Sequence, residues 1–371
     1  MQANFILRPP RNPLTSKDDS MNFLDDSLLP ENQEKLVIQV APYGPQWAPG
    51  DSDDIPVTMD QQVQKAVDCY NAGATVLHVH VREEDGKGSK RLSRFNEMLA
   101  RLREAVPQMI LQVGGSISFA PESEGQAAKW MSDDTPHMLA ELDPRPDQVT
   151  VAVNTQQMNV MELMTAADVA GTSLANPVVQ AAYRDMIVPS NPSWHEEHIR
   201  RLVAGGIQPH FMLGNLTGLE SLLRMVRRGV YSGPLNINYV AIGGGSAGLH
   251  PADMLEFARR TPDGAVLTLE TLNRHIYPMN TMAIALGMHV RVGIEDTLFG
   301  PHGERMSSVQ QIEMVVRQAR ELRREVASGA EARSILGIGQ SWRNADEALA
   351  RLGMPPNRLQ GQRGVPVRVT A

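Results

Sequence analysis

The stretch from Gly73 to Glu84, GATVLHVHVREE, decides the fold of this chain. Its run of β-branched residues predicts a buried β-strand, which begins after a helix that Gly73 ends. Because strand side chains alternate between two faces, His78, His80 and Arg82 are expected to share one face. Two neutral imidazoles placed in this way can bind one metal ion. The stretch therefore predicts a strand that carries a metal site, and a strand with two hydrogen-bonded core histidines is the alternative.

Strands and helices alternate along the chain on both sides of this stretch. Further runs of strand type fall at residues 36–42, 109–113, 148–153, 209–213, 235–242, 266–269 and 289–294. Alternation of this kind predicts a parallel sheet covered by helices, and eight such units predict an α/β fold closed into a (β/α)8 TIM barrel. An open doubly wound sheet is the rival, but the turn Gly44-Pro45-Gln46 after the first strand does not fit its GxGxxG pattern.

Three regions are expected along the chain. Residues 1–34 are polar, rich in Pro, Asn and Asp and without a sustained period, so they are interpreted as an N-terminal arm. Residues 35–337 form the (β/α)8 catalytic domain, and residues 338–371 form a short C-terminal extension. We therefore expect the arm and the extension to lie outside a single barrel.

Composition and charge exclude several classes of protein. The chain has 371 residues, 42% of them hydrophobic, and a net charge of −7, so it can bury a sizeable core and shows no electrostatic footprint for nucleic acid. Its single cysteine, Cys69, rules out an internal disulfide framework. No apolar run approaches the ~20 residues that cross a bilayer, and the N-terminus does not resemble a secretory signal. A cytoplasmic protein without membrane or nucleic-acid partners is therefore predicted.

The eighth predicted strand, HVRVGIED at residues 289–296, carries a second set of chemical groups. Catalytic groups of a barrel come from the C-terminal ends of its strands, and only strand one separates strands two and eight. An inward Glu295 could therefore complete a three-ligand site with His78 and His80, which is the arrangement of a catalytic metal. An acid in an apolar strand is rarely buried without a partner or a metal, which strengthens this interpretation.

Three motifs of the chain resemble the β-keto acid cleavage enzymes, the family of the 3-keto-5-aminohexanoate cleavage enzyme. They are HVHVRE after Gly73-Ala74, GGGSAG from Gly243, and GMHVRVGIEDTLF from Gly287. The resemblance extends over residues 36–336. It implies a zinc-dependent TIM barrel that converts a β-keto acid and acetyl-CoA into acetoacetate and a new acyl-CoA, usually as a homotetramer.

The resemblance also implies roles for individual residues. The expected metal ligands are His78, His80 and Glu295. The expected catalytic residues are Asp296, Arg291 and Thr155. Contacts with substrate or CoA are expected from Ser116, Gly243, Gly244 and Arg82. A cation close to Asp296 should keep this carboxylate ionised and able to act as a base.

Other positions depart from the family pattern, which leaves alternatives open. Gln46 stands where the family has a glutamate after strand one, and His210 and Met212 fall where strand five carries the acids. The serine after strand three is displaced to Ser116. A changed substrate is the simplest explanation, and a metal-retaining homologue with altered or lost activity is another.

A metal-dependent hydrolase is the main enzymatic rival, because HxH on a barrel strand also suits activation of a metal-bound water. An aldolase-type lyase is a further alternative. Its Schiff-base form is disfavoured, because every lysine lies at or before Lys129 and none falls at the end of a core strand.

Overall fold

The structure is a computed structural model that describes residues 28–114, 135–153, 159–184, 191–243, 245–246, 249–359 and 361. Most of the predicted N-terminal arm lies outside these residues. Three predicted site residues also lie outside them, namely Ser116, Thr155 and Gly244.

Eight parallel strands close into a barrel, which confirms the predicted fold. They are β1 (Ile38–Val40), β2 (Val76–Val79), β3 (Ile110–Val113), β4 (Gln148–Val153), β5 (Gln208–Leu213), β6 (Asn236–Ala241), β7 (Val266–Thr271) and β8 (His289–Val292). Strand β1 pairs with both β2 and β8, so the barrel closes where the sequence places its histidines and acids.

Helices follow the strands around the outside of the barrel. The longer ones are Met59–Ala72, Leu92–Ala105, Pro192–Ala204, Leu216–Arg227, Pro251–Arg260, Ile276–Ala285 and Ser308–Glu321. The shorter ones are Thr135–Met138, Ala166–Val169, Pro177–Arg184, Gly329–Ile335 and Ala345–Arg351. Among the described residues, 3-10 turns fall at Pro30–Asn32, Leu139–Glu141, Ser173–Ala175 and Asn273–His275. In the part of the chain that the structure describes, no helix combines the length and the hydropathy needed to cross a membrane.

The entry into β2 follows from local sequence signals. Thr58 caps the helix Met59–Ala72, since its side chain accepts a hydrogen bond from the backbone N–H of Gln61 while the Gln61 side chain returns the bond. Gly73 ends the helix with a φ of 118°, a conformation that glycine adopts without steric cost. The chain then enters the barrel at Val76, as predicted.

The single strand predicted over residues 73–84 is wrong beyond Val79. The barrel strand stops there, and Val81–Arg82 instead pairs antiparallel with Gly88–Ser89 as a small separate ribbon. Arg82 is buried and donates hydrogen bonds to backbone carbonyls in the loop after β1 and at Gly86. Its guanidinium therefore holds these loops together and does not continue the face of the two histidines.

An apolar cluster closes the N-terminal end of the barrel. Val37 just before β1 and the strand residues Val76 and Ile110 are buried, and they pack with Ala332 and Leu336 from the region of the helix Gly329–Ile335. Burial of this apolar surface fixes the short helix against the barrel floor. The polar strand ends of the opposite, C-terminal face are therefore the ones left to form a site.

The C-terminal extension contributes to the core as far as residue 352. Ala348, Leu349 and Leu352 are buried in the main hydrophobic cluster, and the carbonyl of Arg351 lies close to Gly264. A side chain at Gly264 would place its Cβ 2.1 Å from that carbonyl oxygen. The helix Ala345–Arg351 is therefore packed closely against the outside of the barrel.

Candidate metal centre and active site

Two histidines at the end of β2 face a glycine at the end of the neighbouring strand β3. His78 is the third residue of β2, His80 follows its end, and Gly114 follows the end of β3. A Cβ at Gly114 would lie 2.5 Å from His80 Nε2 and 2.9 Å from His78 Nε2. The absence of a side chain at this strand end therefore gives the two imidazoles room to turn toward each other.

Glu295 reaches the histidines through a turn, whereas the sequence predicted it on the inward face of strand eight. Strand β8 ends at Val292, and Gly293 adopts a φ of 134°. A Cβ at Gly293 would lie 2.2 Å from the carbonyl oxygen of Ala41, so the close approach to β1 requires glycine. The Glu295 N–H then donates to that carbonyl at 3.1 Å, which ties the turn to the end of β1.

Three donor atoms converge at this end of the barrel. His78 Nε2 and His80 Nε2 are 3.2 Å apart, and Glu295 Oε1 lies 3.6 Å from each. Tetrahedral zinc with bonds of about 2.0–2.1 Å separates its ligand atoms by about 3.3 Å, close to these values. Glu295 Oε2 is buried without a hydrogen-bond partner among the described residues, so the carboxylate keeps a free acceptor. The donor set therefore fits a divalent metal ion such as zinc.

The pKa shifts of His78 and Glu295 also suit metal binding, which requires neutral histidine and ionised carboxylate. Burial lowers the pKa of His78 well below its usual value, and the positive charge of Arg291 lowers it further. Burial opposes ionisation of Glu295, but Arg291 and the two histidines outweigh it and hold the pKa of Glu295 below its usual value. His78 Nδ1 lies 2.8 Å from the Oε1 atom of Gln112, so the ring is fixed on the side away from the cluster.

Three carboxylates, of which Asp296 and Glu270 are buried and Glu295 is partly buried, share the guanidinium of Arg291. Arg291 donates to Glu295 Oε1 at 2.7 Å and to both oxygens of Asp296, and its Nη1 lies 3.3 Å from Glu270 Oε2. Burial raises the pKa of Asp296 to about 8 although Arg291 opposes the shift, and the charges of Glu270 and Glu295 add to the rise. Without a metal ion, burial therefore opposes the ionised form of Asp296 more strongly than Arg291 favours it, and the role of Asp296 as a base remains a prediction.

Other predicted positions lie around this centre. Gln46 donates from its side-chain amide to the backbone carbonyl of Glu295, so it supports the turn that carries this residue. His210 is buried inside β5, and burial lowers its pKa to about 3. Gly243 adopts a φ of 88° after β6 and faces Leu163 and Glu162. The roles proposed for Ser116, Thr155, Gly244, Gly243 and Arg82 in catalysis or in binding substrate and CoA remain predictions.

Sequence reasoning missed two polar residues that support the centre. Asn238 of β6 donates from Nδ2 to Glu270 Oε2, and Gln112 of β3 contacts His78. Both were visible as single polar residues inside apolar strands, in LNINYVAI and MILQV. A buried polar residue needs a hydrogen-bond partner, so an inward polar residue in such a strand is itself a signal of a polar site.

An apolar layer lies beside the centre. Trp47 after β1 packs with Ile294 and Leu298 after β8, and with Leu174 from the segment 159–184. The indole N–H of Trp47 donates to the carbonyl of Ile294 at 2.7 Å. These contacts hold the loops after β1 and β8 together, next to the turn that carries Glu295.

The curated proteins that this chain resembles include two 3-keto-5-aminohexanoate cleavage enzymes and one acetyl-CoA acetyltransferase. It is 27% identical over 310 residues to the 3-keto-5-aminohexanoate cleavage enzyme of Acetoanaerobium sticklandii, covering 83% of this chain and 100% of that protein. It is 26% identical over 311 residues to the enzyme of the same name from Fusobacterium nucleatum, covering 82% and 98%. It is 25% identical over 314 residues to the 3-oxoadipate:acetyl-CoA acetyltransferase of Cupriavidus necator, covering 82% and 95%.

Solved structures support the fold, and a family profile matches the barrel. The apo structure of ObcA superposes with a TM-score of 0.57 at 14% identity, over 77% of this chain and 66% of the ObcA chain. ObcA bound to oxaloacetate gives the same TM-score at 13% identity, over 77% and 68%. The profile described as beta-keto acid cleavage enzyme matches residues 35–338. With this match over most of its length and the barrel it forms, the chain belongs to the beta-keto acid cleavage enzyme family.

Proposed function

We propose that this protein is a zinc-dependent acyltransferase that converts a β-keto acid and acetyl-CoA into acetoacetate and a new acyl-CoA. Its family membership supports cleavage of a β-keto acid. The names of the relatives from Cupriavidus necator and Paraburkholderia graminis, the latter a 3,5-dioxohexanoate:acetyl-CoA acetone transferase, support acetyl-CoA as the second substrate.

The proposed reaction exchanges two acyl groups and balances without a further reactant. The bond between C2 and C3 of R–CO–CH2–COO⁻ breaks, and C2 forms a new bond to the acetyl carbonyl carbon of acetyl-CoA. The acetyl thioester bond breaks, and the released CoA sulfur forms a thioester with the R–CO group. The products are therefore CH3–CO–CH2–COO⁻ and R–CO–S-CoA, with no net gain or loss of protons.

The observation that carries this proposal is the convergence of His78, His80 and Glu295 beside the pair of Arg291 and Asp296. The three ligands would hold a divalent ion, which supplies Lewis-acid polarisation of a carbonyl oxygen. Asp296 lies next to the ligand Glu295 and would move the proton at C2 of the keto acid. Arg291 orients the Asp296 carboxylate and contributes positive charge toward a developing oxyanion.

The test is a product screen with purified protein, acetyl-CoA, added zinc and a panel of β-keto acids with acidic, basic and neutral side chains. We expect acetoacetate and one new acyl-CoA in equal amounts, detected by mass spectrometry, from at least one keto acid. Protein treated with a chelator should give neither product until zinc is restored. No acyl-CoA from any keto acid would contradict the proposal, and hydrolysis of esters or amides without CoA would favour the hydrolase.

We also propose the assembly that the resemblance implies and the location that the sequence pattern predicts. The barrel of residues 35–337 would form the catalytic domain of a cytoplasmic homotetramer, with the arm and the extension outside the barrel. Light scattering coupled to size-exclusion chromatography should give four times the mass of the 40.7 kDa chain. A monomer in this measurement would refute the tetramer and leave the barrel untouched.

A further inference from the structure

Four buried glutamines form a row of hydrogen bonds inside the barrel, three of them on the neighbouring strands β3, β4 and β5 and the fourth on β1, beyond β2. The row consists of Gln39 in β1, Gln112 in β3, Gln148 in β4 and Gln208 in β5. Gln112 donates from Nε2 to Gln148 Oε1 at 3.1 Å, and Gln148 donates in turn to Gln208 Oε1 at 2.9 Å. Gln39 donates to Gln112 Oε1 at 2.9 Å. We call these four residues the glutamine row.

The glutamine row connects the floor of the barrel with the candidate metal centre. Strand pairing places His78 opposite Gln112, Gln112 opposite Gln148, and Gln148 opposite Gln208. Gln208 is the first residue of β5, whereas His78 is the third of the four residues in β2. Because the strands of a closed barrel are staggered, one layer of registered side chains climbs from the N-terminal end of β5 to the metal centre at β2.

The direction of every hydrogen bond in the row is determined at the barrel floor. Gln208 Nε2 lies 3.2 Å from the backbone carbonyl oxygens of both Leu336 and Gly337, just after the helix Gly329–Ile335. A backbone carbonyl can only accept, so Gln208 must turn its NH2 group toward the floor and its amide oxygen toward Gln148. Gln148 then donates its NH2 group to the Gln208 oxygen, and its own oxygen accepts from Gln112 Nε2. Gln112 must therefore present its oxygen to His78.

This orientation decides which nitrogen of His78 carries the proton. The Gln112 oxygen accepts from His78 Nδ1 at 2.8 Å, which leaves the lone pair on Nε2, the atom that faces His80 and Glu295. If the Gln112 amide were reversed, its NH2 group would face Nδ1 and the proton would move to Nε2. A protonated Nε2 cannot bind a metal ion, so the amide orientation controls whether His78 can act as a ligand.

We propose that the glutamine row is a positioning device that holds His78 in its metal-binding tautomer before any metal binds. The carbonyls of Leu336 and Gly337 at the opposite end of the barrel determine the orientation of the amides, because they accept hydrogen bonds from Gln208. The inference rests on the metal centre of the proposed function, but it concerns the state of the protein without metal. In this proposal Gln112 contacts His78 directly, whereas Gln148 and Gln208 act by orienting the Gln112 amide.

The first experiment reads the tautomer of His78 in metal-free protein labelled with ¹⁵N-histidine, by long-range ¹H–¹⁵N NMR. The wild type should show the proton on Nδ1. Gln112→Met keeps a similar length but removes the amide, so His78 should become a mixture of tautomers. The Kd for zinc, measured by competition with a chromophoric chelator, should rise about 10–100-fold, the usual effect of removing such a partner. In Gln112→Glu a carboxylate oxygen can still accept from Nδ1, so this variant should keep the wild-type tautomer.

The second experiment tests transmission along the row with a matched control. Gln208→Met removes the contact with the floor, and the tautomer preference should weaken with a smaller rise in the zinc Kd than Gln112→Met gives. Asn236 is also buried and donates to the same Leu336 carbonyl at 2.9 Å, but it lies on β6 outside the row. Asn236→Leu should therefore lower thermal stability while the tautomer and the zinc Kd remain as in the wild type.

Two results would overturn the proposal. One is an unchanged His78 tautomer and zinc Kd in Gln112→Met. The other is an equal change in Gln208→Met and Asn236→Leu, because general loosening of the floor would then explain both. Wild-type protein that binds no zinc would contradict the metal centre itself, and the NMR measurement of the metal-free protein would still decide whether the row sets the tautomer.

Discussion

Arg291 and Asp296 are joined by two parallel hydrogen bonds, from Nε to Oδ2 at 3.0 Å and from Nη2 to Oδ1 at 2.8 Å. The two residues lie on either side of the turn at Gly293, so the turn folds the carboxylate back onto the guanidinium. Only 1% of Asp296 is exposed. Its carboxylate is therefore fixed beside Glu295 and the metal-binding cluster, and cannot swing freely into solvent.

Replacing this carboxylate tests its role in proton transfer. Asp296→Asn should keep the zinc content of the wild type and lower kcat by at least ~10²-fold, the usual scale for loss of a general acid or base. Steady-state kinetics with the keto acid identified by the product screen, together with elemental analysis, measures both quantities. Turnover at the wild-type rate would move the role to another buried group of the centre, with Glu270 or His210 next to be tested.

Removing any of the three proposed ligands should abolish metal binding. His78→Ala, His80→Ala and Glu295→Gln should each retain the fold by circular dichroism but lose the bound zinc that the wild type holds at one ion per chain. The control is His210→Asn, because His210 is another buried histidine of the barrel interior outside the three-residue cluster. Unchanged metal content in all three ligand variants would disprove the assignment.

A single methyl group at Gly114 should disturb the centre while all three proposed ligand residues stay in place. Its Cβ would lie 2.5 Å from His80 Nε2, so Gly114→Ala should push the imidazoles apart and raise the Kd for zinc. Gly214→Ala is the matched control, since its Cβ would crowd Ser246 at 2.7 Å, at the end of β5. Zinc titration of both variants should show weakened binding in the first alone. Equal affinities would show that the contact of Gly114 with the imidazoles has no effect on binding.

Asp147 should make the stability of the barrel depend on pH. It accepts hydrogen bonds from Arg103, from both terminal nitrogens of Arg333 and from the backbone N–H of Leu111, at 2.8–3.1 Å. Burial opposes its ionisation, but the hydrogen bonds from Arg333 and Arg103 hold the pKa of Asp147 below its usual value. We expect Asp147→Asn to lower the free energy of unfolding by about 1–3 kcal/mol at pH 7, the scale of hydrogen bonds to a charged group.

The sign of this pH effect follows from the lowered pKa. The unfolded chain binds a proton on Asp147 near pH 3.9, whereas the folded chain binds it only at lower pH, so the stabilisation is complete above that value. Urea unfolding should therefore show a constant difference between wild type and Asp147→Asn from about pH 5 to 8, which shrinks as pH falls below about 4. Asp143→Asn, at an exposed position nearby, is the control and should change little. A difference that persists undiminished at pH 3 would contradict this explanation.

The sequence predicts the strands and the chemistry better than it predicts the strand ends. The alternation of apolar runs and helical patterns was sufficient for the closed barrel, because burial of an apolar strand depends on its own side chains. The strand faces expected for Arg82 and Glu295 were wrong, because side chains alternate between two faces only while a strand continues. Strand β2 stops at Val79, and strand β8 stops at Val292, before either residue is reached.

By itself the sequence determined the eight strand-and-helix units, the family, and the pair of histidines, His78 and His80, at the end of strand two. These features reside in residue types and in short periods along the chain. Only the tertiary structure decided how Glu295 meets those histidines, because this depends on the turn at Gly293 packing against Ala41. The glutamine row was equally hidden, because its hydrogen bonds join residues that are distant in sequence and meet only through the register and stagger of a closed barrel.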